Sequence, residues 1–249
     1  MRKLDRNLAK KPDNWSQTAR KAVPDHPKFE QRATEFEALD INDPQRRAGF
    51  QTFAPEVLPK RGFKSSWGRH KEEIAKISHG KCSYCECRLN ADCVMQVEHF
   101  KPKALFPLSA YDWDNYLLAC GGCNMPKSDN WPTEGEYVRP DHPAYTPEAH
   151  FQFRSDGDVD WLNPEAERTV IDFELRRKRL VDDRRWYLDR FVKNVIDDIL
   201  ELTSENYASA LRKASILGES LNDPEFPYST AFKQYASAAL RKALPGFSI

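Results

Sequence analysis

The chain has 249 residues, enough to bury a substantial core, with 38 basic and 38 acidic side chains and a formal net charge of zero. That balance excludes a global basic field of the kind that binds nucleic acid anywhere, so such binding has to rest on local patches. No stretch approaches the ~20 apolar residues needed to span a bilayer, and the basic start MRKLDRNLAKKPDNW lacks the apolar segment of a secretory leader.

Residues 1–62 read as a lead-in. In the first 22 residues Arg2, Lys3, Arg6, Lys10, Lys11, Arg20 and Lys21 outnumber Asp5 and Asp13. This fits either a solvated arm or a contact to nucleic acid or a partner subunit. Pro27 followed by KFEQRATEFEAL predicts a short helix with proline in its first turn. Residues 42–62, with Pro44, Pro55 and Pro59, predict an irregular connector. Ser66 to Ser78 predicts a helix, because Trp67, Ile74 and Ile77 share one face and Gly80 is placed to stop it. Its basic side (Arg69, Lys71, Lys76, then Lys81) is solvated surface or a phosphate contact.

A core over 63–131 follows, built around the stretch Cys82–Lys127. Two CxxC knuckles, Cys82/Cys85 and Cys120/Cys123, each offer two thiolates at a bite that fits half of a tetrahedral ion. They predict a Zn²⁺ site, and a structural one, since four thiolates leave no open position. Cys87 and Cys93 lack the knuckle spacing. Cysteines at zinc spacing suit a reducing compartment, so the chain is expected to be cytoplasmic. Between the knuckles, Val94–Val97 predicts a strand that delivers Glu98 and His99 side by side, and Tyr116–Ala119 a second strand with Asn115 at its start. Neighbouring strand residues point to opposite faces, so Glu98 and His99 converge only where the strand ends or bulges. Asn124 and Lys127, three apart, share one face of a helix that begins at the second knuckle.

This order, E-H, then N-Y-L-L next to a knuckle, then C-N-x-x-K, resembles the HNH endonucleases. The resemblance implies an α+β chain with a zinc-stapled ββα-metal (His-Me finger) core, an N-terminal helical lead-in and a C-terminal helical region. It implies hydrolysis of phosphodiester bonds, DNA being favoured and RNA open. By the same resemblance His99 would be the general base, and Glu98 and Asn124 would hold a Mg²⁺ or Mn²⁺ ion. Asn115 would keep the loop or the imidazole in register, and Lys127 would support the helix or touch phosphate. An imidazole suits the base role because its pKa lies near the working pH, and oxygen ligands suit a hard cation.

Residues 132–163 form a proline-rich connector in which HFQFRSDGDVDWL predicts a hairpin about Ser-Asp-Gly-Asp. His142 and His150 read as loop residues rather than ligands. From Glu165 the chain reads as helical to its end (164–249), with an apolar stripe of Leu180, Leu188, Phe191/Val192, Val195, Ile199 and Leu202. Two shorter helices are expected at 204–219 and 229–243. Arg176, Arg177, Lys178, Arg179, Arg184, Arg185, Arg190 and Lys193 lie on the same helix as the stripe and outnumber Asp182, Asp183 and Asp189 there. They form either a solvated face or a contact to substrate backbone.

The MRKLDR start, KCSYCE, VEHFKPK, WDNYLLAC-GGCN-PKSD and NPEAERTVIDFELRRKRLVDDRR extend the resemblance to one branch, the PtuB-like nuclease subunits of Septu-type and retron-associated anti-phage defence systems. In that branch the nuclease is paired with an ABC/SMC-like ATPase, which implies control by a partner. The sequence departs from the branch at Phe173-Glu174-Leu175-Arg176, where a small-residue Leu-x-Leu-Asn turn is usual, so a helix break there is not assured. Two other readings stand beside this one: a freestanding restriction or homing-type DNase, and a zinc-stapled binding module without catalysis.

Overall fold

The computed structural model describes residues 1–15, 22–23, 28–58, 62–88 and 94–249. Arg20, Lys21, Pro27, Pro59 and Cys93, named above, lie outside them. Helix α1 (Phe29–Glu37) turns Phe29, Ala33 and Phe36 inward at i, i+4 and i+7, where they pack on Phe50, Ala54, Val57 and Leu58. The connector is more regular than its prolines predict. It holds two single-turn helices, α2 (Pro44–Arg47) and α3 (Phe50–Phe53). Asp43 caps α2 by accepting from the Gln45 amide at 2.8 Å, and Pro44 takes the first position, where a missing N–H costs nothing. The helix expected over 66–78 divides into a tight turn, Trp67–His70, and α4 (Lys71–Lys76), and Gly80 follows with φ +70°.

The N-terminal arm is docked at two of its cations. The Arg6 guanidinium pairs with Asp141 and donates to the carbonyls of Asp114 and Tyr116 at 2.7 and 2.9 Å, and Lys3 donates to Pro143 at 2.6 Å.

Strands β1 (Met95–His99) and β2 (Tyr116–Cys120) pair antiparallel, from Met95 opposite Cys120 to His99 opposite Tyr116. All five residues of β2 are buried, so this strand shows no polar alternation. Helix α5 (Gly121–Lys127) follows β2 without a loop. A second two-stranded sheet joins β3 (Phe151–Phe153) to β4 (Val159–Trp161). Its turn contains Gly157 at φ +88°, where a Cβ would lie 2.3 Å from the Val181 carbonyl.

Asn163 caps α6 (Pro164–Asp172) by accepting from the Ala166 amide at 2.9 Å. The helical run then breaks. Glu174 takes a left-handed φ of +47°, and the Leu175 amide reaches back to the Val170 carbonyl at 2.9 Å, a helix-ending pattern that glycine or asparagine usually fills. Helix α7 (Lys178–Leu188) leads through a widened turn, Asp189–Lys193, into α8 (Asn194–Glu205), followed by α9 (Tyr207–Asn222) and α10 (Ser229–Leu240). The widened turn shifts the inward stripe. Val192, Ile196 and Ile199 are buried, whereas Phe191, expected in the stripe, is 42% exposed. The fold is thus mixed α and β with two small sheets. One apolar core runs from Leu4 and Trp15 through β2 to the C-terminal helices and Leu244.

Candidate metal centre and active site

The two knuckles meet. Cys82, Cys85, Cys120 and Cys123 are buried, free of disulfides, and their Sγ atoms lie within 4.8 Å of one another, Cys85 and Cys120 at 3.7 Å. Zn–S bonds of about 2.3 Å in a tetrahedron require S···S separations of about 3.8 Å. The sulfur cluster therefore fits a tetrahedral ion without rearrangement. Cys87 stands outside the quartet and only partly buried. His142 and His150 lie away from it: the Nδ1 of His142 accepts from the Ala144 amide at 3.3 Å, and the His150 ring stacks on Tyr145.

The enclosed residues gather at the end of β1, where the strand stops at His99. Glu98, His99 and Asn124 line one cleft of about 290 Å³, together with Trp67, Lys103 and Asp129. A larger groove of about 1150 Å³ lies along the N-terminal arm, where Arg6 and Arg139 pair with Asp141 and Lys101 with Glu136, and none of the expected site residues lines it.

Glu98 is 1% exposed. Its Oε1 accepts from the Lys127 ammonium at 2.5 Å and its Oε2 from the Tyr84 hydroxyl at 2.7 Å. A carboxylate offers about four lone-pair sites, so these two bonds fix its orientation and leave acceptor capacity for a cation. Lys127, also 1% exposed, donates in addition to the His99 carbonyl at 2.6 Å. Its charge is turned inward and ties α5 to the end of β1. Asn124 donates through Nδ2 to Gln96 Oε1 at 2.7 Å, which leaves its own Oδ1 as a free-standing acceptor beside the cleft.

The His99 imidazole stands in an aromatic corner, edge-on to Trp67 at 4.5 Å and to Tyr116 at 5.0 Å between ring centres. Its Nε2 lies 3.0 Å from the Ala110 carbonyl. A carbonyl only accepts, which assigns the hydrogen to Nε2 and leaves Nδ1 as a bare base. Burial, with the charges of Lys103 and Lys127, pushes the imidazole pKa down to about 3, so the ring is neutral at pH 7 but a weaker base than the imidazole of ordinary pKa expected from the sequence. Asn115 does not reach the cleft. It staples the loop between the strands, donating to the Lys101 and Ser109 carbonyls at 2.9 and 3.0 Å and accepting from the Lys101 amide at 2.8 Å. That loop presents the Ala110 carbonyl, so Asn115 acts on the imidazole through one intervening peptide.

Tyr84, Gln96 and Arg177 belong to the site and were not anticipated. Gln96 was legible, since it lies two before Glu98 on the same strand face. Tyr84 sits inside the first knuckle, and nothing in its spacing marks it. Arg177 approaches three of the four cysteine sulfurs from the distant α6–α7 break, a proximity no local pattern could show. The basic run to which it belongs is largely committed within the chain. Arg176 pairs with Asp158, Lys178 and Arg185 with Asp182, and Lys193 with Asp189, while Arg184 is buried and donates to the Leu175 carbonyl at 3.0 Å. Of the two readings of that run, these pairs favour the solvated face.

No family model matches the chain. It is similar to the Septu protein PtuB of Bacillus mycoides (strain KBAB4), 25% identical over 144 residues that cover 46% of this chain and 49% of the relative. A second similarity is to the Septu protein PtuB of Bacillus thuringiensis, 42% identical over 66 residues, 25% of this chain and 26% of the relative. A third is to the Septu protein PtuA of Bacillus mycoides (strain KBAB4), 28% identical over 146 residues, 47% of this chain and 20% of the relative. The chain spans about half or less of the length of the relatives it matches.

Proposed function

We propose that the chain is a metal-dependent HNH-type endonuclease acting as the nuclease component of a Septu-type anti-phage defence complex, with a structural Zn²⁺ at the four cysteines. The observation that carries the catalytic reading is the imidazole of His99. Its Nε2–H is fixed on the Ala110 carbonyl, which leaves Nδ1 as the base, and the residue lines the same cleft as Glu98 and Asn124. A strand, a stapled loop, a second strand and a helix deliver these groups in the order that the ββα-metal reading requires.

In this mechanism the phosphodiester enters beside Lys103, whose ammonium supplies local attraction for phosphate on a chain without net charge. Nδ1 of His99 takes a proton from the attacking water while Nε2 keeps its hydrogen bond, so the ring does not rotate as it charges. Mg²⁺ or Mn²⁺ held by Glu98 and Asn124 would stabilise the charge that develops on the scissile phosphate and its leaving oxygen. Tyr84, Lys127 and Gln96 hold those two ligands in place.

The similarity to proteins named for both Septu components supports membership of a multi-component defence system, and an ABC/SMC-like ATPase is the partner the sequence resemblance implies. Among the described residues no helix is long and apolar enough to cross a membrane, and a reduced cysteine quartet supports work in the cytoplasm.

The test is cleavage of supercoiled plasmid and of total tRNA with Mg²⁺, with Mn²⁺ and with chelator, alone and with a co-encoded ATPase. Wild type is compared with His99→Ala. Metal-dependent cutting that vanishes in the variant is expected. Binding without turnover under every condition would replace this reading by the zinc-stapled binding module.

A further inference from the structure

Four thiolates around one Zn²⁺ carry a net charge of −2, and here all four cysteines are buried. A buried net charge is costly unless it is paired and hydrogen-bonded. Arg177 meets that charge. Its Nη1 lies 3.5 Å from Cys123 Sγ, and its Nη2 lies 3.7 Å from both Cys85 Sγ and Cys120 Sγ, so one guanidinium touches sulfurs of both knuckles. The second knuckle leaves room for it only because it contains Gly122, where a Cβ would come within 2.9 Å of the guanidinium Nε.

Arg177 reaches the sulfurs from outside the knuckles. It sits at the break between α6 and α7, where its Nη1 also donates to the Glu174 carbonyl at 3.1 Å and Glu174 holds the left-handed turn. Seven residues on, Arg184 is buried and donates to the Leu175 carbonyl of the same turn at 3.0 Å. Phe173, at the other end of the turn, packs on Tyr84 inside the first knuckle with ring centres 4.0 Å apart.

We propose that Arg177 is the charge-balancing outer layer of the metal centre, and that the 173–177 turn, by docking it there, lets the C-terminal helices retain the metal that the two knuckles bind. The proposal rests on the zinc reading of the cysteines and is independent of whether the cleft cuts nucleic acid. Groups that hydrogen-bond to metal ligands typically change metal affinity 10- to 100-fold, and a planar fork that spans three sulfurs is not reproduced by a lysine.

The experiment uses the full chain loaded with zinc and follows metal transfer to an excess of a colorimetric chelator, with metal content per chain measured beforehand. Arg177→Gln is expected to release zinc about 10- to 100-fold faster than wild type, and Arg177→Lys to fall between. Gly122→Ala leaves the charge intact and displaces the guanidinium, so it is expected to accelerate release in the same way. Should Arg177→Gln not fold, this variant carries the test. Arg176→Gln, which breaks the Asp158 pair and the guanidinium contact over Trp161 on the neighbouring position but touches no sulfur, is expected to release at the wild-type rate. Release unchanged in Arg177→Gln or in Gly122→Ala overturns the proposal. Equal acceleration by Arg176→Gln overturns it too, because any loosening of the turn would then suffice. A wild-type chain without bound metal would instead remove the zinc reading beneath it.

Discussion

The Tyr84 hydroxyl donates to Glu98 Oε2 at 2.7 Å, which joins the middle of the first zinc knuckle to the carboxylate at the head of the cleft. Both side chains are essentially inaccessible, Tyr84 at 0% and Glu98 at 1%. The cysteine quartet and the proposed catalytic cleft of the 82–127 stretch are thereby joined by one hydrogen bond. Removing the hydroxyl as Tyr84→Phe deletes a hydrogen bond to a charged group, worth about 1.5–3 kcal/mol. Denaturant unfolding is expected to register that loss, zinc content to stay at the wild-type value, and half-maximal cleavage to require more Mg²⁺. An unchanged Mg²⁺ requirement would mean that Lys127 alone orients Glu98.

Gln96 acts on the other expected ligand. Gln96→Leu removes the acceptor that holds Asn124 Nδ2, so the amide can turn its nitrogen toward the cleft. Weaker Mn²⁺ binding, read by titration with the spin of the ion, is expected, with cleavage recovering at saturating metal. A loss of turnover that saturating Mn²⁺ does not restore would place Gln96 at the substrate instead.

Asn115→Ala is expected to cost about 2–4 kcal/mol, because it deletes three hydrogen bonds of roughly 1 kcal/mol each at a buried position and leaves loop groups unpaired. Asn115→Asp should fare little better, since two of the three bonds need the amide as donor. Hydrogen exchange confined to the 100–115 loop, set against global unfolding, distinguishes loss of the staple from general collapse.

Glu174→Gly runs in the opposite direction. Glu174 holds φ at +47°, which costs a side chain about 1 kcal/mol relative to glycine, and its carboxylate is not part of the metal centre. The variant is expected to be more stable by about 0.5–1 kcal/mol with zinc retention unchanged. A destabilised variant would show that the carboxylate, not the backbone, secures the turn.

Removal of the metal should separate the same parts. With Cys120→Ser the quartet loses a thiolate, and metal content is expected to fall together with cooperative unfolding, because both knuckles and Arg177 converge on the four sulfurs. A folded, metal-free variant with a native thermal transition would show that the apolar core suffices.

The local signals in this sequence were strong where chemistry constrains spacing. CxxC fixes two sulfurs at a bite no other pattern reproduces, and the strand read over Val94–Val97 falls within two residues of β1 at its end. Gly157 and Gly80 marked their turn and stop in the same local way. Charge was read less well. The run from Arg176 to Lys193 looked available to phosphate because a sequence lists cations without their partners. In the fold Arg176, Lys178, Arg185 and Lys193 have carboxylates beside them, and Arg177 has sulfur.

The sequence by itself determined the cysteines able to hold a metal, the two strands and helix around them, and three side chains of the cleft, Glu98, His99 and Asn124, because each belongs to a local pattern that backbone geometry fixes. Only the tertiary structure decided what holds those side chains. Tyr84 on Glu98, Gln96 on Asn124, Ala110 on His99 and Arg177 on the thiolates join positions 11 to 92 residues apart. Such contacts come from burial of charge in a shared core, which selects partners by distance in space and leaves no period in the chain.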